Sequence, residues 1–112
     1  MDCIFCKIAA GSIPSKKVFE DDQVFAFHDI DPKAPKHILV IPKKHIASLA
    51  DARPEDAVLM GRLLLAIADI ARDQALGKGY RVVTSIGPEG GQTVDHMHLH
   101  LLGGRQMHWP PG

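Results

Sequence analysis

The stretch His96-Met97-His98-Leu99-His100-Leu101-Leu102 constrains this chain more than any other. Polar and apolar residues alternate with a period of two, the period of a strand. Such a strand turns three imidazoles to one face, their Cβ atoms roughly 7 Å apart, and turns Met97, Leu99 and Leu101 to the other. The segment from Pro54 to about Leu76 is the helix that can cover an apolar sheet face. Pro54 suits a first helical position, Glu55 and Asp56 suit the positive end of the helix dipole, and Gly77 suits the stop. Its strongly polar positions, Glu55, Arg62, Asp69 and Asp73, share one narrow stripe. Val58, Leu59, Met60, Leu63, Leu64, Leu65, Ile67 and Ile70 occupy most of the rest. Packing on one sheet takes only about a 100° apolar arc. The wider arc predicts burial on two sides, by the chain's own sheet and by a partner subunit.

The remaining elements are shorter. Residues 3–9 read as a short helix ended near Gly11. Val18 to Glu20 and Val24 to His28 read as a hairpin about the Asp21-Asp22 turn. Ile38 to Ile41 lies between Pro35 and Pro42 as a continuous apolar run, the pattern of a central strand buried on both faces. Tyr80 to Ser85 reads as a strand, 86–92 as a glycine-rich turn, and Val94 to Leu102 as the last strand. The expected fold is α+β: an antiparallel sheet of about five strands with one long helix and a short N-terminal helix.

With 112 residues the chain is read as a single domain, 1–112, with 105–112 as a C-terminal tail. Thirteen basic and thirteen acidic residues cancel, which argues against long nucleic acids or an anionic membrane surface as partner. No apolar run approaches the roughly 20 residues of a membrane span. The start lacks a basic segment followed by an apolar one, so a cytoplasmic location is expected.

A row of imidazoles supports two chemistries. Histidines two apart on a strand can bind zinc together. Alternatively, one imidazole acts as nucleophile while its neighbours hold and donate protons. Histidine titrates near neutral pH and can do either. The glycines at 87, 90 and 91 free the backbone to present N–H groups to an anion, and Thr93 adds a hydroxyl nearby. No P-loop pattern is present.

His96-x-His98-x-His100 followed by two apolar residues resembles the signature of the histidine triad (HIT) proteins. Phe27-His28-Asp29-Ile30, Ala34-Pro35, His37, Ile41-Pro42-Lys43-Lys44-His45, Gly90-Gly91-Gln92, Leu102-Gly103-Gly104-Arg105 and Trp109-Pro110-Pro111-Gly112 are similar to the HINT branch. That branch comprises nucleotide-binding proteins that are purine nucleoside phosphoramidases. The resemblance runs from about Ile4 to the C-terminus.

The resemblance implies a HIT-like, dimer-forming fold and catalytic residues His98, His100, His96 and His37. His98 falls on the family's nucleophile, which attacks the α-phosphorus of a nucleoside phosphoramidate or acyl-nucleotide. His100 contacts the phosphate and protonates the departing amine, while His96 and His37 orient the nucleophile and relay protons. Thr93 and the backbone near Gly91 cradle the phosphate. Asp29 falls on the ribose contact, beside His28. Ile4, Phe5, Ile8, Phe27 and Ile30 fall on the apolar slot for the base. Trp109 falls on a tail residue that reaches the partner subunit's site. The implied partners are purine nucleotides of the AMP or GMP class and a second copy of the chain. Where the family usually has asparagine near the phosphate, this chain has Ser85, a shorter group with one hydroxyl. Asp95 stands where relatives often carry an aromatic residue.

Cys3-x-x-Cys6 has zinc-ligand spacing. Some bacterial relatives pair such cysteines with a loop histidine and the first triad histidine, here His45 and His96. The implied set Cys3, Cys6, His45 and His96 is a closed structural zinc site, with no cofactor needed for the chemistry. If zinc holds His96, that ring cannot carry mobile protons and His37 matters more. Three other functions stand beside the phosphoramidase: a zinc hydrolase using the triad as ligands, a nucleotide-binding adaptor with little turnover, and a diadenosine polyphosphate hydrolase. Members of that last branch lack the Trp-Pro-Pro-Gly tail.

Overall fold

A computed structural model describes residues 2–112. Its core is a five-stranded antiparallel sheet, ordered β1-β2-β3-β5-β4. The strands are β1 (Lys17–Glu20), β2 (Val24–His28), β3 (Lys36–Pro42), β4 (Tyr80–Val83) and β5 (Leu99–Gly103). Two helices, α1 (Ile4–Ala9) and α2 (Ala57–Asp73), complete the fold, with 3₁₀ turns at Leu49–Asp51 and Pro54–Asp56. Among the described residues, no helix is long and apolar enough to cross a membrane.

The central run behaves as its composition demands. Ile38, Leu39, Val40 and Ile41 are all buried. Alternation sends them to different cores. Ile38 and Val40 join Val24, Ala26, Leu99 and Leu101 under the α2 residues Leu59, Leu63, Ala66, Ile67 and Ile70. Leu39 and Ile41 join Phe25 and Phe27 under Phe5 and Ile8 of α1. The sheet is therefore a middle layer, with α2 on one face and α1 on the other.

The expected long helix begins with the Pro54–Asp56 turn, so α2 proper starts at Ala57. The Asp56 carboxylate accepts the Arg53 amide at 2.9 Å and pairs with Lys44 at 2.6 Å. The stop is not Gly77. Ala75 takes the left-handed conformation, φ 59°, and the amides of Ala75 and Leu76 donate back to the carbonyls of Arg72 and Ala71. This is a Schellman closure. The buried Leu76 side chain holds it, so alanine tolerates a conformation that glycine usually takes. Only one side of α2 is covered: Val58, Leu64 and Leu65 are 74%, 58% and 68% exposed.

The last strand is shorter than its pattern. The ladder starts at Leu99, not Val94, because β4 ends at Val83, opposite His100. Residues 94–98 find other partners: the Met97 amide donates to the Ile46 carbonyl, and the Thr84 hydroxyl donates to the His98 carbonyl at 2.9 Å. Alternation survives without the ladder, since Met97, Leu99 and Leu101 all enter the α2 core.

Candidate active site

The three triad histidines share the α1 side of the sheet, and each meets a different neighbourhood. His98 is 5% exposed. Its Nδ1 lies 2.7 Å from the His96 carbonyl. A carbonyl only accepts, so Nδ1 carries the proton and Nε2 keeps the lone pair. No fully buried side-chain nitrogen or oxygen among the described residues lacks a partner. His98 Nε2 has none, so it is an atom through which the ring meets solvent. Phe5 packs edge-on against this ring at 5.1 Å, and the His100 ring stands 5.1 Å away on its other neighbour's side.

His100 sits on β5 opposite Leu39, and His37 on β3 opposite Leu102. The two rings meet at 2.9 Å, His37 Nε2 to His100 Nδ1. The direction follows from the Lys33 amide, which donates to His37 Nδ1 at 3.0 Å. Neutral His37 is therefore protonated at Nε2 and donates to His100, which leaves His100 its proton on Nε2. The Asp29 carboxylate lies 3.4 Å from the same His37 Nε2, and its other oxygen accepts the Asp31 amide at 2.8 Å. Burial lowers the pKa of His37, against the pull of Asp29. Burial, then the neighbouring His98 and His37, pull His100 down to about 4.

His96 is fully buried and leaves this group. Its Nε2 donates to the Pro42 carbonyl at 2.8 Å. Its Nδ1, left with a lone pair, points at Cys3 Sγ (3.3 Å), Cys6 Sγ (3.5 Å) and His45 Nδ1 (3.2 Å). Cys6 Sγ is also 3.4 Å from His45 Nδ1. Tetrahedral zinc, with bonds of about 2.3 Å to sulfur and 2.0–2.1 Å to nitrogen, sets N–N edges near ~3.3 Å and N–S edges near ~3.6 Å. The donor set fits that ion in type, count and spacing. Burial lowers the pKa of His96, and burial followed by the neighbouring Cys3 raises that of Cys6.

A cleft of about 750 Å³ runs along the end of β2, lined by Ile8, Lys16, Phe27, His28, Asp29, Ile30 and His37 among others. Five of the residues expected at the nucleoside thus meet there, and Ile30, fully exposed, forms its rim. Phe5 does not line it; it is a buried wall behind His98. Ile4, half exposed, lines a separate recess with Cys3, His45, Thr93 and Asp95. Two of the three glycine amides in the turn are already taken. Gly91 donates to the Pro88 carbonyl and Gly87 to the Gln92 side chain. Gly90 is needed for closeness, since a side chain there would run into the Ile86 carbonyl. Ser85 is half-buried beside Thr84. Trp109 is 85% exposed, and its segment is tied down by Arg81, which donates to the His108 carbonyl.

Three positions carry weight that the sequence did not announce. The Lys33 amide sets the His37 tautomer. Thr84 holds the His98 carbonyl where the ladder has ended. Gln92 straps the glycine turn, donating to the Ala47 and Val94 carbonyls while accepting from Gly87. Backbone partners leave no side-chain signature, and Gln92 showed only as part of a motif.

The HIT domain family model matches residues 10–107, and the chain belongs to that family, on its HINT-like side. An HIT-like protein of Synechococcus elongatus is 54% identical over 111 residues, covering 99% of this chain and 97% of the relative. The protein named adenylylsulfatase HINT1 of Arabidopsis thaliana is 49% identical over 97% of this chain and 76% of its own length. A solved HIT family hydrolase from Legionella pneumophila superposes with a TM-score of 0.97 at 52% identity, covering 99% of this chain and all of that one.

Proposed function

We propose that this chain is a nucleotide-binding hydrolase that cleaves the P–N bond of purine nucleoside 5′-phosphoramidates, or the equivalent bond of acyl-nucleotides. The observation that carries the reading is His98, whose Nδ1 is tied to a carbonyl and whose Nε2 holds a lone pair open to solvent. Nε2 attacks the α-phosphorus, the P–N bond breaks, and its electron pair leaves on the amine, which takes a proton from His100. Water then attacks phosphorus and returns a proton to His100, freeing His98 and the nucleoside monophosphate. Splitting one displacement into two lowers each barrier, and protonation matters because an amine leaves poorly as an anion.

The cleft from Ile8 to Ile30 takes the nucleoside, with Asp29 at the ribose. The name of the Arabidopsis relative supports an adenylyl substrate. Ser85 is the phosphate contact of this reading, since Thr93 lies in the recess with Ile4 and His45 and the Gly91 amide is taken by the Pro88 carbonyl. Cys3, Cys6, His45 and His96 hold a structural zinc ion, which supplies rigidity and no chemistry. His96 then orients His98 through its carbonyl, and proton service falls to His100 and His37. The bare stripe of α2 is the homodimer face, and Trp109 reaches the partner's site.

The test is amine release from the adenosine 5′-phosphoramidate of lysine, in EDTA, by the protein and its His98→Ala variant. Turnover by the first alone supports the reading. Equal turnover by both overturns the nucleophile. Tight binding of adenosine monophosphate without turnover makes the chain a binding protein instead.

A further inference from the structure

His100 must hold two protons to give one to an amine, and the resting His37–His100 pair has no place for the second. The Lys33 amide already fills His37 Nδ1, at 3.0 Å, so His37 keeps its proton on Nε2 and directs it at His100 Nδ1, 2.9 Å away. A further proton on His100 Nδ1 faces the N–H of His37 head-on. That N–H then needs another acceptor. Asp29 Oδ2 is 3.4 Å from the same nitrogen, and the ligand atoms of Asp29, His37 and His100 all lie within 4.8 Å of one another.

We infer that Asp29 is a positioning residue for proton delivery as well as a sugar contact: its carboxylate takes over the His37 N–H and neutralises the pair when His100 is charged. The inference rests on the phosphoramidase reading. The other charges facing the pair do not serve. Asp31 is paired with Lys33 Nζ at 2.8 Å, Lys33 is itself a cation, and the remaining neighbour, His98, carries no negative charge. Asp29, its side chain 18% exposed at the cleft, is bonded through Oδ1 to the Asp31 amide, so its Oδ2 is held on the His37 side. In the resting state burial keeps both rings neutral, with His100 at about 4, as expected for a pair whose second proton arrives only with an anionic substrate.

The experiment must separate this role from ribose contact. It uses the lysine phosphoramidate of 2′,3′-dideoxyadenosine 5′-monophosphate, which has no ribose hydroxyls, and the p-nitrophenyl ester of the same nucleotide, whose leaving group needs no proton. Removing an opposite charge at this range lowers the pair's pKa by about one unit, so Asp29→Asn should cut kcat for the amide about tenfold. The nitrophenyl ester should change less than about twofold, with KM for both nearly unchanged. Equal kcat losses on the two substrates, or none on the amide, overturn the inference. A second readout needs no turnover. In a ¹⁵N imidazole NMR titration the His37–His100 resonances should protonate about one pH unit lower in Asp29→Asn, and unchanged titration overturns the inference. If the wild-type protein also fails to cleave the ribose-bearing lysine phosphoramidate, the phosphoramidase reading fails, and the titration still decides the role of Asp29. If Asp29→Asn does not fold, Asp29→Ser keeps an oxygen for the Asp31 amide without the charge.

Discussion

The two faces of the sheet are buried to similar depth by different chemistry. On the α2 face, Val24, Ala26, Ile38, Val40 and Leu101 have no exposed surface and carry no side-chain polar atom. On the α1 face, Phe25, Phe27, Leu39 and Ile41 share the space with His37, His96 and His98, none more than 6% exposed. Apolar packing is non-directional, so each α2-face residue contributes area and little else. A buried imidazole must satisfy its nitrogens, and here each one has a nitrogen tied to the backbone: His96 to Pro42, His98 to His96, His37 to Lys33. The other nitrogens face elsewhere: His96 Nδ1 the thiols, His37 Nε2 the His100 ring, and His98 Nε2 the solvent. One face is apolar throughout, and the other mixes an apolar cluster with rings whose nitrogens need directed partners.

This contrast can be broken by experiment. The largest effect should come from His98→Ala, with kcat falling at least about 1000-fold while circular dichroism stays that of the folded chain. A smaller loss removes His98 as nucleophile. On the opposite face, Leu63→Ala should cost about 2–5 kcal/mol in a urea titration, because Leu63 is 1% exposed within the α2 core. Its kcat per folded molecule should not change; a lower kcat would mean that the faces are coupled.

The zinc quartet comes next. The purified protein should carry one zinc per chain, and chelation should lower its stability by about 3 kcal/mol at a hundredfold excess of metal over Kd. Metal-free preparations of unchanged Tm would assign Cys3 and Cys6 to packing alone. The pH response sharpens the same contrast. Folded His100 binds its proton at about 4, below the ordinary value of 6.5. Between those values the unfolded chain takes up the proton first, so stability is complete above about pH 6.5 and declines as the pH falls toward 4. His37 and His96 shift in the same direction. The urea midpoint should fall from pH 7 to pH 4.5, and an unchanged midpoint would mean that these rings are not buried neutral. The smallest effect is at the bare stripe of α2. Leu65→Glu should leave the stability of a single chain within about 0.5 kcal/mol, since Leu65 is 68% exposed. It should convert a dimer to a monomer in light scattering, and a wild-type monomer would remove the dimer.

Much of this was legible in the residues because the information is local. The run Ile38 to Ile41 between prolines reads as a doubly buried strand, and it is one. The alternation from His96 to Leu102 assigns faces correctly even where the ladder is absent, because side-chain alternation belongs to extended backbone and not to its hydrogen bonds. The helix ends were less legible. Gly77 is the stronger stop signal by type, but the burial of Leu76 fixed the turn two residues earlier, at Ala75.

The sequence by itself determined that three imidazoles share a face, that an apolar helix covers the other, and that two cysteines stand at ligand spacing. Only the tertiary structure decided that the triad separates by company: His96 to a thiol pair 93 and 90 residues earlier, His100 to His37 and Asp29, and His98 between them against Phe5. The reason is that a period of two sets the direction in which a side chain leaves the backbone. The partner waiting there comes from distant chain, often as a backbone carbonyl or amide such as Pro42 or Lys33, which every residue carries and no sequence pattern marks.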